Sequence, residues 1–325
     1  MPTIQDFPFG AFVVEAAFLG ETAAFALGDG TVRLAEGPAA SEVRVHSGAV
    51  LSAEATRDGK ALITGGDDGL VAATDAEGAV TRIAERPKKW IDHVAAGPGG
   101  AVAFSSGRQA TVRHGDGRER SFDHPRAVGG LAFAPKGVRL AVARYDGVTL
   151  WWAGTDAPPV MLDWKGAHLA VTFSPDGRSL VTAMQENALH GWRLEDGKDM
   201  RMTGYSAKPK SLSWSAKGRF LATSGAHAAI LWPFHHKDGP QGRQPLQLGA
   251  REVPVTRVAC HPRDEVVAIG YNDGMVLAVR LADAEEALLR RAGGGPVSAL
   301  GWNGRGSRLA FGTEEGAAGI VDLAG

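Results

Sequence analysis

Short apolar runs separated by turn-forming clusters recur along the whole chain, and their order repeats. Eight segments can be laid over one another, each an apolar run, a turn, a second run, a tight turn and a third run. They begin as AFLGETAAFALGDGTVRL, AEATRDGKALITGGDDGLVAAT, VAAGPGGAVAFSSGRQATV and LAFAPKGVRLAVARYDGVTLWW. The other four begin as VTFSPDGRSLVTAMQENALHGW, LSWSAKGRFLATSGAHAAILW, VACHPRDEVVAIGYNDGMVLAVRL and LGWNGRGSRLAFGTEEGAAGIVDL. Phe18, Ala55, Ala96, Phe133, Phe173, Trp214, Cys260 and Trp302 are equivalent, spaced between 37 and 46 residues apart. Runs such as RLAVA and FLATS are too continuously apolar for strands with one wet face.

A period of about 40 residues with three or four short strands per unit is that of a β-propeller blade. One such small twisted sheet cannot bury both of its faces, and radial packing of several sheets buries both. The turns carry the residues their geometry requires. Pro-Asp-Gly at 175–177 and Pro-Lys-Gly at 135–137 suit the first turn, and Asp-Gly at 29–30, 68–69, 146–147 and 273–274 suits a hairpin before the third strand. The expectation is an all-β fold, a single closed β-propeller of eight blades with four antiparallel strands each. Seven blades are the alternative if the first or third repeat is not a blade. The last repeat ends at its third strand, so residues 3–9 are expected to supply its missing outer strand and leave no open edge. No composition shift marks a boundary, which predicts one domain over 1–325.

FSPDGRSLVTA at 173–183, followed by HGWRLEDG at 190–197, resembles the WD-repeat (WD40) β-propeller family, and the resemblance covers nearly the whole chain. Trp151, Trp192 and Trp232 match that family's third-strand Trp, and His46 and His124 resemble its His ahead of the first strand. The family's His–Ser/Thr–Asp–Trp set is complete in no repeat. The second repeat keeps His46, Thr64 and Asp68 but has Ala73 where Trp is expected. The resemblance implies a scaffold that binds other proteins.

Composition narrows the remaining classes. A net charge of −1 gives no bulk attraction to nucleic acid or membrane, and no stretch is long and apolar enough to span a bilayer. Cys260 is the only cysteine, so no intrachain disulfide forms. The opening MPTIQDFPFGAFVV has no basic, then apolar, leader pattern. These features predict a cytoplasmic protein, and the Ala, Gly and Arg bias fits a GC-rich bacterial genome.

Catalytic patterns are missing: there is no GxSxG, HExxH, CxxC pair or GxxxxGK[ST], and the sequence calls for no cofactor and names no catalytic residue. One alternative is a zinc site. His235 and His236 after the third strand of repeat six fall on the same side as Cys260 and His261 in repeat seven, and zinc favours such ligands. Against this, Cys260 holds a core position occupied elsewhere by Phe or Trp. A ligand or enzyme site in a central channel is the other alternative.

The opposite side, built by the loops leading into each repeat and by the turns between second and third strands, collects the recognition chemistry. Lys88, Lys89, Lys165, Lys208 and Arg126 fall there, with Trp90, Trp164 and all three tyrosines. Aromatics and arginine dominate binding hot spots. The predicted contacts are Trp90, Arg126, Tyr145, Trp164, Lys208 and Tyr271. The predicted partner is another protein or an acidic peptide segment, bound by a monomeric propeller within a complex, with no nucleic acid and no membrane.

Overall fold

The computed structural model describes residues 3–323. The chain forms two compact units, residues 1–43 with 204–325, and residues 44–203. Every sheet in both is antiparallel.

The first unit has four four-stranded sheets among its described residues. One holds Val13–Leu19, Thr22–Leu27, Thr31–Ala35 and Ala40–Arg44. The next holds Leu212–Trp214, Phe220–Thr223, Ala229–Pro233 and Leu246–Leu248, and a third Val255–Cys260, Val266–Tyr271, Val276–Arg280 and Glu286–Arg290. The last joins both ends of the chain. Thr3–Pro8 pairs with Ala317–Asp322, from Thr3 opposite Asp322 to Pro8 opposite Ala317, and so supplies the outer strand as expected. Phe7 fixes that strand: it is buried and stacks on Phe9 with ring centroids 5.6 Å apart, and Phe9 meets Phe25 edge-on.

Two four-stranded sheets and one six-stranded sheet make the second unit. The six-stranded sheet is where eight separate blades become seven sheets. Its second strand, Arg139–Trp152, and its third, Val160–Phe173, are each 14 residues long. Residues 139–144 pair with Val128–Phe133, while residues 147–150 pair with 160–163. The Ala153 N–H donates to the Val138 carbonyl at 2.9 Å, so the long strand doubles back at Asp146-Gly147. The other half of Val160–Phe173 pairs with Ser179–Met184. Repeats four and five are therefore fused through one continuous strand. The seven sheets do not arise by loss of repeat one or three, which are both four-stranded.

Second strands are buried at nearly every position, and at all of them in TAAFAL at 22–27, because apolar side chains pack against both faces. The Asp-Gly turns form as read. Gly30, Gly69, Gly147 and Gly274 all have positive φ, and the Asp29 and Asp273 carboxylates accept the Thr31 and Met275 N–H groups at 3.0 Å.

Candidate interaction surface

In the second unit, the loop leading into repeat three is pinned at both ends. Arg86 N–H donates to Gly69 O at 2.8 Å and Ile91 N–H donates to Gly66 O at 3.0 Å. Ile91 is fully buried among Ile63, Val71 and Val94. With its neighbour anchored in the core, Trp90 is held outward, 64% exposed, on a loop with little freedom to fold it back. Trp90, Lys89, Asp92, Ser106 and Gly107 line a shallow depression of 360 Å³. The Asp92 carboxylate is occupied there, accepting the Gly107 N–H at 2.7 Å. The loop carrying Arg126 abuts the same turn through Val128 N–H to Gly107 O, 2.8 Å. Lys88, Lys89, Arg108 and Arg126 are all exposed, and among the described residues none has an ion pair.

Tyr145 and Trp164 line a common groove of 300 Å³ with Lys165, Gly166, Met184, Glu186 and Arg201. Trp164 lies flat on His190, ring centroids 3.9 Å apart and planes 16° from parallel. His168 fixes the loop: its Nε2–H donates to Trp164 O at 2.9 Å, and its Nδ1 faces Thr182 Oγ1 at 2.7 Å. His190 is fully buried and neither ring nitrogen is hydrogen-bonded. Burial between rings lowers its pKa to about 3, with His168 and Arg201 adding to the effect, so it is a neutral ring under the Trp164 indole.

In the first unit, Lys208 is exposed. Tyr271 corrects the sequence reading. It is 0% exposed, at the end of Val266–Tyr271, and its hydroxyl donates to Gly249 O. A Cβ at Gly249 would stand 2.6 Å from that hydroxyl, so the leading loop yields the space the ring fills. Repeat two uses the reverse exchange. There the His46 ring enters the core and a Cβ at Gly66, the residue equivalent to Tyr271, would collide with it. Tyr271 is a buried packing residue.

Tyr205, also placed among surface aromatics, is buried and replaces a histidine. Trp232 Nε1–H donates to Tyr205 Oη at 2.7 Å, Tyr205 donates to Thr223 Oγ1 at 2.7 Å, and Thr223 donates to Ile230 O at 3.0 Å. Burial pushes the phenol up to about 12. A signal for this existed. Tyr205 precedes Thr223 by 18 residues, as His46 precedes Thr64, and precedes Trp232 by 27, as His124 precedes Trp151. His46 itself bonds Thr64 Oγ1 at 2.8 Å and Asp68 Oδ1 at 3.0 Å.

The four zinc candidates have other engagements. His261 Nε2–H donates to Gly306 O at 3.0 Å, and its Nδ1 accepts the Arg263 and Asp264 N–H groups. The Cys260 thiol lies against Ser213 O at 3.4 Å, and burial raises its pKa to about 12, far from the thiolate a metal needs. His235 and His236 lie against each other, ring centroids 4.1 Å apart. Among the described residues no group of three or more His, Cys, Asp or Glu side chains is placed to hold a metal. For a channel site, the clearest candidate in the second unit is a 280 Å³ cavity holding Glu54 and Arg57. Arg57 spends its donors on the carbonyls of Ala96, Phe133, Ala134 and Pro135, at 2.9–3.3 Å, which makes it a brace between repeats. No helix among the described residues is long and apolar enough to cross a membrane.

No protein-family profile matches the chain. Telomerase protein component 1 of Rattus norvegicus is 25% identical over 203 residues, 60% of this chain and 7% of that protein. WD repeat-containing protein 55 of Rattus norvegicus is 26% identical over 195 residues, 58% of this chain and 50% of that protein. Protein HIR1 of Yarrowia lipolytica is 24% identical over 197 residues, 56% of this chain and 17% of that protein. The chain thus spans half the length, or less, of these relatives. The computationally designed Ika8 protein superposes with a TM-score of 0.76 at 18% identity, covering 96% of each chain. The chain has the all-β propeller fold, with repeats similar to WD repeats.

Proposed function

We propose that this chain is a protein-interaction scaffold, not an enzyme, acting over 1–325 as one WD-repeat propeller domain. The partner is a protein with an acidic segment, docking on the leading-loop side of the second unit at Trp90, Arg126, Tyr145 and Trp164. Lys208 is the contact assigned to the first unit. The observation that carries this reading is the Trp90 loop: a rigid support holding a large aromatic ring in water, beside cations with no carboxylate of their own. Exposing such a ring forgoes burial worth roughly 1.5–3 kcal/mol, and a bound partner would recover it. The cations would orient an acidic segment and speed its encounter. With Cys260 alone and no disulfide to form, a cytoplasmic setting suits the chain.

The experiment is capture from native lysate with tagged protein, quantified by mass spectrometry, wild type against a Lys89→Ser, Trp90→Ser double variant. Proteins specifically recovered by the wild type should be depleted with the variant, and should elute as salt shortens the screening length below about 10 Å. Equal recovery by both proteins would refute the assignment of this surface.

A further inference from the structure

The groove under Tyr145 has a chemistry of its own. Its walls are the Tyr145 and Trp164 rings and the Met184 side chain, and Gly166 keeps it open. Gly166 has φ of +123°, and a Cβ there would stand 2.8 Å from Met184 Cε and 2.9 Å from Glu186 Oε1. The Trp164 ring is backed by His190, and its backbone is tied by His168, so this wall is in place before anything binds. Tyr145 stands at the rim, 45% exposed.

The charged groups around the groove balance in number but differ in their partners. Glu186 Oε1 already accepts the Ala167 N–H at 3.4 Å, and nearby Asp146 accepts the Gly166 N–H at 3.3 Å. Lys165 and Arg201, by contrast, have no ion pair among the described residues. At 300 Å³ the groove is at the lower limit of small-molecule pockets, about 300 Å³, and suits one large side chain better than a free cofactor.

We propose that this groove is an anchor pocket for a single bulky apolar side chain of the partner, set next to a carboxylate in the partner's chain that pairs with Lys165 and Arg201. The proposal rests on the scaffold reading and names the partner's recognition element. The apolar ring lies between Trp164, Tyr145 and Met184, and the carboxylate selects acidic neighbours over basic ones.

The test uses ¹⁵N-labelled full-length protein and a capped peptide, Gly-Ser-Asp-Phe-Gly-Ser, titrated to concentrations on the order of 1 mM, where a single weak anchor becomes visible. The Trp164 indole N–H signal is identified by its loss in Trp164→Phe. This signal should move on titration. It should move much less with the peptide carrying Lys for Asp, with the peptide carrying Ser for Phe, and in the Arg201→Ser and Tyr145→Ala variants, whose exposed positions spare the fold. A stationary Trp164 signal, or equal movement with the Lys peptide, would overturn the proposal. Movement of the Trp90 indole alone would also overturn it, while leaving the scaffold reading intact. If the peptide binds as described but lysate capture ignores the Lys89→Ser, Trp90→Ser change, the Trp90 surface fails and the anchor pocket stands.

Discussion

Trp90 and Tyr271 look alike in the sequence: each is an aromatic residue in a segment that leads into or turns within a repeat. Their fates are opposite, 64% exposed against 0%. What differs is the neighbour that claims the core. Beside Trp90, Ile91 takes the buried position and both flanking segments are fixed by backbone hydrogen bonds, so the indole has nowhere inward to go. Opposite Tyr271, Gly249 has no side chain, and the ring occupies the vacated space with its hydroxyl on the Gly249 carbonyl. An aromatic in a loop reports on function only once the space around it is known.

The comparison breaks most visibly by truncating the buried ring. Tyr271→Ala should destabilise the protein by about 3–5 kcal/mol, as large-to-small core changes do, read as a shift of the denaturant midpoint. A loss as small as that of a surface substitution would mean Tyr271 is not core. The equivalent exchange in repeat two is sharpened by Asp68→Ala. This leaves the buried His46 Nδ1 and the Ser47 N–H without their acceptor, at a cost of about 1–3 kcal/mol.

A third expectation concerns acid. The His190 pKa is depressed to about 3 in the fold, whereas the unfolded chain binds that proton near the ordinary value of 6.5. Between these values the unfolded state holds more protons, so stability falls as pH drops through this window, by up to about 1.4 kcal/mol per pH unit. Burial lowers His168 and His93 in the same direction. Denaturant midpoints at neutral and mildly acid pH should show the decline, and His190→Phe, which keeps a ring under Trp164, should shallow it. A parallel decline in the variant would mean the buried imidazole does not contribute.

The repeat period, the strands, the Asp-Gly turns and the terminal strand pairing were legible because each follows from local pattern. Gly at a positive-φ turn and an apolar run beside it need no distant information. The fusion of repeats four and five was not legible. It depends on Val160–Phe173 continuing unbroken from the end of one repeat into the start of the next, past Gly166 at φ +123°. Tyr205 was misplaced because a tyrosine in a loop was read by type, although its spacing to Thr223 and Trp232 matched the histidines of other repeats. Of the residues proposed as contacts, Trp90 lies in a loop as read, whereas Tyr145 and Trp164 fall within Arg139–Trp152 and Val160–Phe173. Met184 and Arg201 were not singled out because nothing local in their segments points to the groove, and only folding brings them there.

The smallest expected effect on stability belongs to the residue with the largest expected effect on binding. Trp90→Ser should leave the melting transition within about 0.5 kcal/mol of wild type, as surface changes do. The same variant, with its partner captured on the wild-type protein and titrated against both, should bind at least about tenfold more weakly, the loss of roughly 1.4 kcal/mol or more that a hot-spot tryptophan carries. Unchanged melting with that weakened binding is the result this account predicts. Equal affinity for both proteins would contradict it.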